Sequence, residues 1–144
     1  GDKVALVGAN GAGKTTLTRL ISGELAAQRG QLILGERVHP AYYAQHQSEA
    51  LDLERTVFAQ VEDSAAPSLR PFVRDILGVF RFSGNDVNKE VKVLSGGEKA
   101  RVSLAKILLS PANFLTMDEP TNHLDSSSKA ALETAPAEYD GALL

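Results

Sequence analysis

The stretch Gly8-Ala-Asn-Gly-Ala-Gly-Lys-Thr15 constrains this chain more than any other. The apolar run Val4-Ala-Leu-Val7 leads into it and reads as a short buried strand. Lys14 opens a helix-patterned segment to about Leu25, with Leu17, Leu20 and Ile21 on one face and Gly23 near its end. Between strand and helix, Gly8 and Gly13 permit backbone angles that a side chain obstructs. The loop amides and the helix N-terminus then converge on one anion. Lys14 brings a mobile positive charge to β- and γ-phosphates, and Thr15 offers a hydroxyl to Mg²⁺. A glycine-rich turn with a surface lysine is the plainer alternative, but the flanking strand and helix are what a nucleotide phosphate loop demands. The predicted cradle is Gly8, Asn10, Gly11, Ala12, Gly13, Lys14, Thr15 and Thr16.

A second apolar strand, Phe114-Leu-Thr-Met117, ends in Asp118 and Glu119. Asp118 is suited to the Mg²⁺ shell, and Glu119 to polarising or deprotonating an attacking water. A solvated acidic turn or a helix cap is the bland alternative, weakened by the phosphate loop upstream. Thr116 is polar in an apolar strand; it is expected to satisfy itself locally and is given no role. Leu94-Ser-Gly-Gly-Glu98 opens a helix over 97–109 that Ser110-Pro111 stops. Ser95 and Glu98 form a capping box by pattern. The two glycines weaken a helix start, so Ser95, Gly96 and Gly97 are also read as a second anion site. Two such sites in one cradle are awkward; a head-to-tail pair of domains, each supplying one, resolves this.

The remaining organisation is coarser. Gln31–Leu34 and Val38 are expected to flank a hairpin-type turn at Gly35-Glu-Arg, and Ala41–Ala44 to form a strand after His39-Pro40. Residues 48–93 are polar, carry Pro67 and Pro71, and show patchy helical periodicity; they read as a helical insert. A helix is expected over Ser126 to about Ala135, capped by Asp125 or Ser126 and broken by Pro136, and a strand starting at Gly141. Together these predict an α/β fold with a parallel sheet.

Composition excludes several classes. The chain has 144 residues with 43% hydrophobic and 23% charged, enough for a packed core. It has no cysteine, which removes disulfides, thiolate metal sites and cysteine nucleophiles and fits a reducing compartment. No apolar run approaches the ~20 residues of a membrane span. Net charge is −3, and the basic residues number five in 1–48, six in 49–93 and four in 94–144, without a run that reads as a nucleic-acid footprint. Gly1 stands where Met would be, and the chain is expected to be an excised piece.

Phosphate loop, Tyr43-Ala-Gln45-His, Leu94-Ser-Gly-Gly-Glu-Lys-Ala-Arg101 and Asp118-Glu-Pro-Thr-Asn-His-Leu-Asp125 follow one another in an order and spacing that resembles the nucleotide-binding domains of ABC ATPases. The resemblance implies a P-loop NTPase core (1–47 and 94–144) with the helical insert at 48–93, present as a partial domain. It implies ATP and Mg²⁺ as ligands, with Glu119, Gln45 and Lys14 catalytic and Thr15, Asp118 and Gln45 around the metal. It implies Ser95, Gly96 and Gly97 acting in trans on a second such domain, with Asp125 contacting that partner. Asn122-His-Leu-Asp125, the Gly-Glu-Lys-Ala-Arg run, Tyr43-Ala-Gln-His-Gln47 and Phe82-Ser-Gly-Asn-Asp86 are similar to the second domain of the ABC-F subfamily, cytoplasmic proteins without membrane domains that act on ribosomes. An ATP-hydrolysing subunit of a membrane transporter is the alternative, sharing all the catalytic chemistry. The resemblance also places the family's switch histidine after Leu144 and its adenine-stacking aromatic before Gly1. His39, His46 and His123 do not substitute for that histidine, and Tyr42 and Tyr43 read as strand residues.

Overall fold

The structure, a computed structural model, describes residues 1–43, 50–120, 129, 139 and 141–144. Its elements are α1 (Lys14–Ile21), β1 (Pro40–Tyr43), α2 (Val57–Glu62), α3 (Val73–Val79), α4 (Gly96–Leu109), β2 (Phe114–Met117) and β3 (Ala142–Leu143). The expected Ser126–Ala135 helix and its break at Pro136 lie outside the described residues.

Among the described residues the strands form one parallel sheet in the order β1-β2-β3. The register sets Tyr42 opposite Thr116 and Tyr43 opposite Met117. Asn113 fixes the start of both strands: its side-chain oxygen accepts from the His39 amide at 2.8 Å and its side-chain nitrogen donates to the Arg37 carbonyl at 2.7 Å. β2 is central, and consecutive residues Leu115 and Thr116, which face opposite sides of the sheet, are both fully buried. Thr116 therefore needs a partner, because an unsatisfied buried hydroxyl costs about 1–3 kcal/mol. Contrary to expectation the bond is not local: Thr116 donates across the sheet to the Ala41 carbonyl at 3.2 Å.

α4 is the core helix. Val102, Leu104, Ala105 and Leu109 are buried in one cluster with Val57 and Val61 of α2, Val73 and Leu77 of α3, and Leu115 of β2. Residues 50–93 are helical turns rather than strands, tied back on themselves where the Val57 amide donates to Lys89 and the Val91 amide to Arg55, both at 2.9 Å. Val57, Val61, Val73 and Leu77 thus pack with α4, while Leu53, Phe72 and Val79 stay exposed and the polar Gln60 is buried.

The N-terminal region departs from the expectations. Val4–Val7 is not a strand: the parallel bridge beside it joins Lys3 to Leu143, and Val7 is 91% exposed. Its neighbour β3 is a two-residue strand, whose Leu143 carbonyl accepts from the Val4 amide at 2.8 Å. Leu32 and Ile33 are exposed and unstranded, although the turn is present with Val38 donating to Gly35 at 3.0 Å. A short hairpin without a packed face is marginal. α1 stops at Ile21 rather than near Leu25, because Gly23 turns left-handed and its amide closes on Leu20. On its inner face Thr18, 3% exposed, replaces Leu17, which is 43% exposed.

Candidate functional site

The loop before α1 owes its shape to two glycines. Gly11 and Gly13 have φ of +80° and +91°, the left-handed region that costs an L-residue about 1–2 kcal/mol. Gly8, expected to be one of the required pair, lies outside that region; a Cβ there would meet Ala12 Cβ at 3.5 Å, an ordinary contact. Asn10, Ala12 and Thr16 are exposed around the same loop. Gly13 serves as the N-cap of α1 without any side-chain cap, and the first turn carries no acid. The positive end of the helix dipole is therefore left for an external anion. The Lys14 ammonium folds over the loop, donating to the Gly8 and Ala9 carbonyls at 2.8 and 3.1 Å.

The sheet delivers the second half of the site. Asp118 follows the last residue of β2, and its amide donates to the Tyr43 carbonyl at 3.2 Å, continuing the ladder. Its carboxylate then meets α1: Thr15 Oγ1 donates to Asp118 Oδ1 at 3.1 Å, across 103 residues of sequence. Tyr42, beside Thr116 in register, brings its hydroxyl to 3.5 Å from Asp118 Oδ2. Burial first, and the neighbouring Asp118 charge second, push the Tyr42 phenol above its ordinary pKa. Glu119 is exposed and takes φ of +46° immediately before Pro120. A cleft of about 340 Å³ opens between these elements, lined by Lys14, Thr18, Asp118, Glu119, Pro120 and the apolar Val4–Leu6, Met117 and Leu143–Leu144 segments.

The Thr15 hydroxyl and Asp118 carboxylate are hard oxygen donors, which suit Mg²⁺, an ion that keeps several waters and takes its other ligands from substrate phosphates. No all-protein cage is needed, and among the described residues no cluster of three or more His, Cys, Asp or Glu exists.

Ser95, Gly96 and Gly97 do not line this cleft; they form the start of α4. The capping box is complete: the Glu98 amide donates to Ser95 Oγ at 3.3 Å, while the Ser95 amide donates to Glu98 Oε2 at 2.8 Å. The Ser95 hydroxyl donates to the same oxygen at 2.7 Å. These bonds from Ser95 hold the Glu98 carboxyl below the usual glutamate pKa. Gln45, His46, His123 and Asp125 lie outside the described residues.

The family model described as "ABC transporter" matches residues 1–122. The chain belongs to the ABC transporter family. Its relatives include ABC transporter F family members. ABC transporter F family member 2 of Arabidopsis thaliana is 44% identical over 145 residues, covering 100% of this chain and 21% of that protein. ATP-binding protein Uup of Haemophilus influenzae is 42% identical over 148 residues, covering 100% of this chain and 23% of that protein. This ABC domain thus spans about a fifth of the length of the curated relatives it matches. Among solved structures, the RNase-L Inhibitor has a TM-score of 0.73 at 27% identity, over 99% of this chain and 28% of that one. An archaeal ribosome recycling factor, solved with the ribosomal stalk protein aP1, has 0.71 at 26% identity, over 99% and 28%. Both the parallel sheet with its helices and the phosphate loop are those of an ABC ATPase domain.

Sequence reasoning placed Tyr42 on a strand, as found, but foresaw neither its approach to Asp118 nor the burial of Thr18. The available signal was spacing: Thr18 lies one helical turn after Thr15, and Tyr42 alternates with Tyr43 on a strand.

Proposed function

We propose that this ABC domain binds ATP with Mg²⁺ at the phosphate loop and hydrolyses it within an ABC-F ATPase, at a composite site shared with a second nucleotide-binding domain. The observation that carries the reading is the 3.1 Å contact between Thr15 and Asp118, two oxygen donors from opposite ends of the chain aligned beside Lys14. In the reaction the loop amides and Lys14 hold the β- and γ-phosphates, and Thr15 and Asp118 hold the metal. Bound Mg²⁺ would neutralise charge on the phosphate oxygens. Glu119 accepts a proton from the attacking water, and Gln45 senses metal and water. Ser95, Gly96 and Gly97 reach the γ-phosphate of the partner domain's nucleotide, once the Ser95 hydroxyl leaves Glu98. Residues 1–47 and 94–144 form the ATPase core and 48–93 the helical insert. The ABC-F identity of the relatives favours this reading over a transporter subunit. A ribosomal partner, suggested by the ribosome recycling factor among the structural neighbours, would be engaged outside this chain, whose charge is −3. The protein is then expected to act in the cytoplasm; among the described residues no helix is long and apolar enough to cross a membrane.

Glu119→Gln in the intact protein tests the reading. ATP binding should persist while turnover falls by about 10²–10⁴-fold, as for loss of a general base, and closed domain pairs should accumulate. Undiminished turnover removes Glu119 from the mechanism.

A further inference from the structure

Both carboxylate oxygens of Asp118 are engaged, by residues from two different elements. Thr15 of α1 donates to Oδ1 at 3.1 Å, and the Tyr42 hydroxyl of β1 lies 3.5 Å from Oδ2. Tyr42 is 9% exposed and clamped in register against Thr116, so its ring has little freedom. Its hydroxyl also meets the hydroxyl of Thr18. Thr18 in turn donates to the Thr15 carbonyl at 3.0 Å, and at 3% exposure it is the buried residue of α1. These contacts close a ring: Asp118, Thr15, Thr18, Tyr42 and back to Asp118. The ring joins the first turn of the phosphate-loop helix to the ends of two strands. A phenol carries one proton, and of its two neighbours a carboxylate is a stronger acceptor than a hydroxyl. Contacts of this kind are often long before ligand arrives and tighten in the complex.

We propose that Tyr42 is a positioning residue for the metal site: through its hydroxyl it orients the Asp118 carboxylate, with Thr18 holding the phenol in place. The inference rests on the reading of Asp118 as a metal ligand. Outer partners that orient a metal-binding carboxylate typically change metal affinity by about 10–100-fold when removed, and the 3.5 Å separation places this one at the lower end.

The test uses the intact protein with a non-hydrolysable ATP analogue and Mn²⁺ in place of Mg²⁺. Free Mn²⁺ is read by electron paramagnetic resonance, and analogue binding in EDTA is measured separately. Tyr42→Phe keeps the ring and removes only the hydroxyl. It should weaken Mn²⁺ affinity by about tenfold, with analogue binding in EDTA and the melting temperature unchanged. Tyr43→Phe, on the neighbouring strand position, should leave Mn²⁺ affinity at the wild-type value. Asp118→Asn should abolish tight Mn²⁺ binding. Wild-type affinity in Tyr42→Phe beside lost affinity in Asp118→Asn overturns the role of Tyr42 and leaves the metal site standing. Equal losses in Tyr42→Phe and Tyr43→Phe overturn it as well, since the effect would then be general to the strand. Wild-type affinity in Asp118→Asn overturns both readings.

Discussion

Glu119 and Arg81 share a backbone state that ordinary residues avoid, with φ of +46° and +63°. At Glu119 the following Pro120 adds its own restriction, and backbone strain of this kind clusters at functional sites. At Arg81 the cause is architectural. The residue follows α3 as the left-handed stop, with its amide on Gly78 and the Phe82 amide on Leu77, at 2.9 and 2.8 Å. Glycine is the natural occupant of that position. Arg81→Gly relieves about 1–2 kcal/mol of steric cost and loses about 0.5–1 kcal/mol to the freer unfolded chain. The balance is a gain of up to about 1.5 kcal/mol, seen as a higher urea midpoint. Arg81→Ala keeps the Cβ and should show no such gain; equal stabilisation by both would remove the backbone explanation.

At the scale of elements, α4 shows how a local signal becomes structure. Ser95 and Glu98 close a reciprocal cap, and apolar residues at helical spacing then bury against α2, α3 and β2. Ser95→Ala should cost about 1 kcal/mol, the usual worth of such a cap. The cap also imposes a pH dependence. Glu98 is held below its ordinary value of 4.5 by the bonds from Ser95. Its stabilisation is therefore complete above about pH 4.5 and is lost as pH falls through the lowered folded value. Urea unfolding at a series of pH values should give wild type a steeper loss below pH 4.5 than Glu98→Ala; identical slopes would show that the carboxylate does not hold the cap. The same comparison of elements shows what was legible. α4 and β2 announce themselves because their apolar residues find partners on several sides. Val4–Val7 and Leu32-Ile33 carry equally good strand patterns, yet a strand exists only where a neighbour offers backbone groups, and that information is not local. Likewise the placement of Thr15, Asp118 and Glu119 at a loop or strand end was legible, whereas the Tyr42–Asp118 contact spans 76 residues and depends on sheet register. The need for Gly11 rather than Gly8 in the left-handed turn is a matter of loop conformation, which the spacing of glycines alone does not determine.

At the scale of the whole molecule, the site exists only when distant parts of the chain have come together, because Thr15 and Asp118, 103 residues apart, are brought within 3.1 Å by the packing of α1 against β2. A ligand that binds this site recognises the folded state, and its binding free energy adds to the stability of that state. The most direct measurement is the affinity of the intact protein for a fluorescent ATP analogue with Mg²⁺, compared between wild type and Lys14→Ala. Lys14 already lies across the loop, donating to Gly8 and Ala9, and exchanging those carbonyls for phosphate oxygens makes its hydrogen bonds charge-assisted on both sides. Loss of the ammonium should weaken binding by about 1.5–3 kcal/mol, or roughly tenfold to a hundredfold, with the melting temperature of the ligand-free protein unchanged. Equal affinities in wild type and Lys14→Ala would contradict the account at its centre, because the loop would then not be where the phosphates bind.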